Sequence, residues 1–233
     1  MSSVSNFLLK AYNFEFKYLN ILECGACYEG GETKILRNEN NCYYIEANPG
    51  DFNNLLYTQK LIENETAFNY ALTDIDNNLI EFNISSHGGN SSIEHSIEHK
   101  NELINIYNAN FEIIKVKSIT YKNFINNKIQ KNIDILVLDI EGHECVVLNT
   151  FYNLDITELP KIIVIEAGYD WLNRKKILLD LGYIIDFYEF NNCYLTHKNF
   201  KIEKNINIIN EINNNNREFI WNNIFIYKNE LVF

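Results

Sequence analysis

Four short apolar runs in this chain end on an acidic residue: Glu23 after Tyr18–Leu22, Glu46 after Tyr43–Ile45, Asp139 after Ile133–Leu138, and Glu166 after Ile162–Ile165. Carboxylates at successive strand ends are chemically useful when a ligand lies across those ends. The first is followed by a glycine turn, Glu23-Cys24-Gly25-Ala26-Cys27-Tyr28-Glu29-Gly30-Gly31, where a glycine is expected so that no Cβ holds a ligand off the backbone. Glu46 follows Gly25 by about the separation at which nucleotide folds place the carboxylate that accepts both ribose hydroxyls. The pair Gly25 and Glu46 therefore marks an adenosine ribose, whether of NAD or of S-adenosylmethionine.

Asp139 opens a denser group, Asp139-Ile140-Glu141-Gly142-His143-Glu144. Asp139, Glu141, His143 and Glu166 are the candidates for taking a proton from a reacting group. His143 has the ordinary pKa nearest neutrality, although a lone histidine opening a helix is more often a surface residue. Asp139 and Glu166 are also able to share a divalent cation that would acidify a hydroxyl, and nothing in the spacing requires one. Glu141 and Glu144 have a structural alternative, because acids in a first helical turn favour the dipole and cap free N–H groups.

These residues need a scaffold that brings strand ends together. Apolar runs at Tyr18–Glu23, Tyr43–Ala47, Ala67–Leu72, Ile133–Asp139 and Ile162–Ala167 alternate with helical stretches at Asp51–Ile62, Thr120–Asn127, Cys145–Tyr152 and Leu172–Leu181. That order predicts an α/β fold with a parallel sheet covered by helices. Ile135–Leu138 and Ile162–Ile165 are continuously apolar, as strands buried on both faces must be. Asp51 is expected to cap the helix after Pro49-Gly50, and Gly182 to stop the helix before it. Leu79–Ile84 and Phe111–Ser118 read as further strands, the first running into a flexible loop at Ser85–Ser92, of which His87–Ser92 is a candidate lid or a solvent-exposed turn. A hairpin of Tyr183–Phe190 and Tyr194–His197, an exposed asparagine-rich excursion at Asn205–Asn216 and a last strand at Phe219–Tyr227 complete the chain.

With 233 residues and 46% apolar, one domain is expected: an N-terminal extension over 1–17, a cofactor-binding core over 18–182 and a C-terminal hairpin and strand over 183–233. The net charge of -11 argues against gripping nucleic acid or an anionic membrane. Arg174, Lys175 and Lys176 are expected to coat an exposed helix face. Five scattered cysteines suit a reducing compartment, and Cys24-x-x-Cys27 lacks the further ligands of a zinc site. No signal segment or membrane span is visible, so a cytoplasmic location is expected.

The turn Asp139-x-Glu141-Gly142-x-Glu144, with Ala71-Leu72-Thr73-Asp74, Asn90-Ser91-Ser92 and the acidic end Glu166, resembles the FkbM family of class I S-adenosylmethionine-dependent methyltransferases from about Leu19 to Tyr183. The resemblance implies a Rossmann-like class I methyltransferase fold: a mostly parallel seven-stranded sheet flanked by helices, with a C-terminal antiparallel strand pair. It implies S-adenosylmethionine as cofactor, bordered by Glu23, Gly25 and Ala26 at the methionine, Glu46 at the ribose, and Ala71, Leu72 and Asp74 at the adenine. Asp139 would face the sulfonium and the incoming acceptor. By the same analogy the reaction is O-methylation of a sugar, glycan or related small molecule, and Tyr169 or Trp171 offers a ring to stack on it. The family's second turn glycine is replaced by Glu29, with Gly30 and Gly31 following. The rival readings are an NAD-dependent oxidoreductase, which lacks its G-x-G-x-x-G, and a silent binding module that has lost the donor site.

Overall fold

The two continuously apolar runs become neighbouring strands at the centre of a parallel sheet. A computed structural model describes residues 4–13, 15–27, 32–59, 63–95, 97–168 and 170–215. In chain order the elements are α1 (Val4–Ala11), β1 (Asn20–Cys24), a 3-10 segment (Lys34–Glu39), β2 (Asn41–Ile45), α2 (Pro49–Gln59), β3 (Glu65–Phe68), β4 (Ala71–Leu72) and β5 (Leu79–Ser85). They continue with α3 (Ile97–Tyr107), β6 (Phe111–Ile119), α4 (Tyr121–Asn123) running into a π-turn (Phe124–Ile129), β7 (Ile135–Leu138), α5 (Glu144–Thr150), β8 (Ile162–Glu166), α6 (Trp171–Asp180), β9 (Tyr183–Glu189), β10 (Asn192–His197) and α7 (Ile206–Asn215).

Among the described residues seven strands form one sheet in the order β3-β2-β1-β7-β8-β10-β9, and three form a second in the order β4-β6-β5. The large sheet is parallel except for β10, which runs against both β8 and β9. Alternate residues of the central strands feed opposite layers. Leu136, Leu138, Ile163 and Ile165 pack beneath α5 and α6 with Phe124, Val147, Phe151 and Leu178. Ile135, Val137, Ile162 and Val164 face the other way, toward Leu8 of α1, Leu55 of α2 and Ile209 of α7. This period of two explains why these runs are apolar throughout.

Several expectations change. Residues 4–11 are not an appendage: Val4, Leu8 and Ala11 are buried one turn apart along a helix that seals the second layer. The asparagine-rich stretch is not an exposed excursion but α7, because Ile206, Ile209 and Ile212 recur at helical spacing, with Ile209 buried and Ile202 and Ile212 packed beside it. Ala67–Leu72 is broken in two. Asn69 donates its side-chain amide to the carbonyls of Glu46 and Ala47 (2.8 and 3.1 Å), and β4 leaves the large sheet to pair with β6. The helix after β2 starts at Pro49, so Asn48, not Asp51, fills the cap position and accepts from Gly50 N at 2.9 Å. Gly182, at φ +95, ends α6 as expected. The strand Phe219–Tyr227 lies outside the described residues. No described helix is long and apolar enough to cross a membrane.

Candidate active site

β1 and β7 lie side by side, with Cys24 opposite Leu138, and their onward connections lead to opposite halves of the sheet. Their carboxyl ends form the topological switch point, where open α/β sheets bind ligands. A cavity of about 440 Å³ opens there, within the usual range of small-molecule sites. Its wall includes Glu23, Gly25, Ala26, Glu46, Ala71, Leu72, Asp139, Glu141 and His143, nine residues expected from the sequence.

Gly25 is needed for a reason internal to the fold as well. At φ +80 its added Cβ would lie 1.7 Å from the carbonyl oxygen of Asp139, so the glycine lets two strand ends approach each other. Gly25 N and Ala26 N both donate to Ile45 O (3.0 and 3.3 Å), which ties the turn to β2 as well. Tyr28 to Gly31, including Glu29 and both later glycines, lie outside the described residues.

Glu46 is 7% exposed; it accepts from Cys27 N at 2.8 Å with one oxygen and from Asn48 N at 2.7 Å with the other. A carboxylate offers about four lone-pair sites, so acceptor capacity remains for ribose hydroxyls. Burial pushes its pKa up to about 7 against the backbone amides of Asn48, Cys27 and Ala47. Glu23 is spent differently: it accepts from Thr33 N (3.1 Å), Thr33 Oγ1 (2.7 Å) and Glu32 N (3.4 Å), and burial likewise raises it to about 7. It holds the return of the glycine turn into the 3-10 segment.

Asp139 is raised well above the usual carboxylate range, first by burial and then by Glu166, Glu141 and Glu144. Its Oδ1 is buried with no hydrogen-bond partner among the described residues. Glu141 sits at φ +57, a left-handed conformation that β-substituted residues seldom adopt, and burial with the charges of Glu166 and Glu144 lifts it to about 8. The turn is held by Glu144, whose carboxylate accepts from Ile140 N (3.0 Å) and Gly142 N (3.1 Å). Of the two acids given a structural alternative, Glu144 takes it.

His143 opens α5 as expected, yet it is 6% exposed and not a surface residue. Its Nε2 lies 3.0 Å from Thr73 Oγ1, and that hydroxyl donates to Asp74 Oδ1 at 3.1 Å. With the hydroxyl proton given to Asp74, Thr73 accepts from Nε2–H, which leaves the imidazole lone pair on Nδ1. Nδ1 is buried without a partner among the described residues. Burial lowers the ring's pKa, so it is neutral at pH 7.

Two expected residues stand off the wall. Asp74, expected near the adenine, is exposed and is not part of the cavity wall; its Oδ1 accepts from Thr73 Oγ1. Glu166 ends β8, one strand beyond the switch point, and its nearest cation is Arg174, at 4.0 Å. Arg174 overturns the surface reading of its run: it is 1% exposed, its Nη2 lies 2.7 Å from Glu144 Oε2 and its Nη1 donates to Glu166 O at 2.8 Å. Its position between Asn173 and two lysines gives no hint of burial; the reason lies in the acids it meets from other elements. Carboxylate oxygens of Asp139, Glu144 and Glu166 lie within 4.8 Å of one another. The donor set suits a hard cation, but Glu144 already serves Arg174 and two backbone amides, so the guanidinium takes that charge-balancing place.

The loop expected as a lid does border the cavity through Gly88, Gly89, Asn90 and Ser91. Its base is pinned, with Asn83 N and O bonded to Ser92 (2.8 and 3.0 Å) and His87 stacked on Tyr107. Trp171 is a core residue packed edge-on against Tyr188, and Tyr169 lies outside the described residues. None of the five cysteines is in a disulfide, and Cys24 is buried in β1.

A family model described as "Methyltransferase FkbM domain" matches residues 23–202. No curated protein matches the chain. Similar solved structures include M. capricolum TrmK in complex with S-adenosyl-homocysteine, with 13% identity, covering 87% of this chain and 67% of that one at a TM-score of 0.45. Aeropyrum pernix fibrillarin with natively bound S-adenosyl-L-methionine has 11% identity, covering 78% and 67% at 0.43. Precorrin-6y C5,15-methyltransferase from Geobacter metallireducens has 13% identity, covering 82% and 81% at 0.42.

Proposed function

Because the chain belongs to the FkbM methyltransferase domain family, we propose that it is an S-adenosylmethionine-dependent O-methyltransferase acting on a hydroxyl of a sugar, glycan or related small molecule. The observation that carries this reading is the cavity at the β1–β7 switch point, walled together by Gly25, Glu46, Asp139 and His143. The residues suit the donor: Glu46 keeps lone pairs for the ribose, Ala71 and Leu72 give a flat apolar wall for a purine, and Asp139 brings an unpartnered carboxylate oxygen for a positive centre. The donor supplies an activated methyl group on a sulfonium, so the chain itself must position an oxygen and remove its proton.

His143 is the proton acceptor in this reading. Thr73 and Asp74 hold Nε2–H, leaving Nδ1 to take the hydroxyl proton as the oxygen bonds to the methyl carbon. Glu141 lies beside it as the second candidate base, with a pKa near 8. Glu166, off the wall, supports the turn through Arg174 and does not meet the acceptor in this reading. The division into an N-terminal segment, cofactor core and C-terminal hairpin is proposed as one methyltransferase domain, with α1 and α7 closing the same layer.

The test is calorimetric titration with S-adenosylmethionine and, separately, NAD. S-adenosylmethionine is expected to bind and NAD not to, and Glu46→Ala is expected to weaken donor binding at least tenfold. Donor binding that is absent in the wild type, or indifferent to Glu46, would sink the proposal.

A further inference from the structure

The charge of the cavity wall bears on what the acceptor is. Six wall side chains are carboxylates, Glu23, Glu32, Glu46, Asp51, Asp139 and Glu141, and among the described residues none on the wall is Lys or Arg. Four of the six are engaged in holding the fold: Glu23 by Thr33, Glu32 by Val4 N, Glu46 by Cys27 and Asn48, and Asp51 by the Asn48 amide. Asp139 and Glu141 make no ion pair among the described residues. The nearest guanidinium, Arg174, lies behind them in contact with Glu144 and Glu166.

A second observation points the same way. His143 is 6% exposed and lines the cavity, and its Nδ1 has no partner among the described residues, which favours a ligand with a hydrogen-bonding group at that end. A hydroxyl meets this need. A phosphate or carboxylate brought to the same place gives up its hydration, faces two carboxyl groups and meets no Lys or Arg on the wall among the described residues. Protonation of the carboxyls relieves repulsion without supplying a lysine or arginine to pair with the anion.

We propose that the site selects acceptors carrying no negative charge at or beside the methylated hydroxyl, that is neutral or amine-bearing polyols, and rejects phosphorylated, carboxylated and nucleic-acid acceptors. The inference rests on the methyltransferase reading above. It goes beyond that reading by naming the charge class of the acceptor.

The experiment supplies the full chain with methyl-labelled S-adenosylmethionine and small molecules extracted from the organism that carries the gene, split on ion exchangers into cationic, neutral and anionic pools, with total RNA as a fourth. Label is expected in the cationic or neutral pool at least tenfold above the anionic pool, with RNA unlabelled. Glu141→Gln is expected to narrow that ratio. Label led by the anionic pool or by RNA would overturn the inference, as would its absence from both favoured pools while calorimetry shows the donor bound. A chain that fails to bind the donor at all sinks the methyltransferase reading, and this inference with it.

Discussion

Arg174 and Glu144 form an ion pair, Nη2 to Oε2 at 2.7 Å, in which the arginine is 1% exposed and the glutamate fully buried. The pair joins α6 to α5 directly behind the Asp139–Glu144 turn. Removing one partner leaves a buried charge unmatched, so Arg174→Met or Glu144→Gln is expected to cost about 3–5 kcal/mol. The double variant Arg174→Met with Glu144→Met is expected to recover at least half of that. Urea denaturation checks this, and additive losses in the double variant would contradict it.

Gly25 and Gly88 give a matched pair of substitutions. Gly25→Ala puts a methyl into the Asp139 carbonyl at φ +80, so β1 and β7 must part; a loss of about 2–4 kcal/mol and of measurable donor binding is expected. Gly88 has nothing within 4 Å of its added Cβ, and Gly88→Ala is expected within about 0.5 kcal/mol of wild type. Thermal melts with and without the donor compare the two.

The raised carboxyls set the pH dependence. Glu46 near 7 and Glu141 near 8 hold protons in the ligand-free fold at pH values where the unfolded chain, at about 4.3, has lost them. Their contribution to stability is full below about pH 4 and is lost as pH rises through 7 to 8. Ribose hydroxyls and a positive centre favour the ionised forms, so donor affinity runs the other way and is expected to rise about tenfold from pH 6.5 to 8. Calorimetry across that range checks it, and a flat or falling affinity would contradict the assignment of Glu46.

For the proton acceptor, His143→Gln is expected to lower kcat about 10²- to 10⁴-fold while leaving the donor Kd within threefold. Thr73→Val, which frees Nε2 to lose its proton instead, is expected to lower kcat less and to shift the pH profile. Glu166→Gln is expected to retain most activity. Unchanged turnover in His143→Gln would pass the base role to Glu141.

What the sequence disclosed follows from where the physics is local. Strand ends marked by an apolar run and one acid, such as Leu138-Asp139, are legible because burial and reversal of polarity both occur within a few residues. The fate of Arg174 was not legible, since its partners Glu144 and Glu166 come from other elements and its own neighbours are polar. Composition misled at α7, where asparagines masked isoleucines at helical spacing. The role of Gly25 was half readable: its turn is evident in the sequence, but the carbonyl that excludes a side chain belongs to a residue over a hundred positions away. The His143–Thr73–Asp74 chain was hidden for the same reason, as the hydroxyl joins β4 to a turn after β7.

The break at Asn69 has a wider consequence. By sending β4 out of the large sheet, it assigns the two sides of the chamber to separate frameworks, with Gly25, Glu46 and Asp139 on a floor of parallel strand tips and Phe82, Asn90 and Ile93 on a ceiling carried by the small sheet and its loop. Floor and ceiling are thus separable by substitution: a change at Phe82, Asn90 or Ile93 reshapes the upper wall without touching the strand tips that carry Gly25, Glu46 and Asp139.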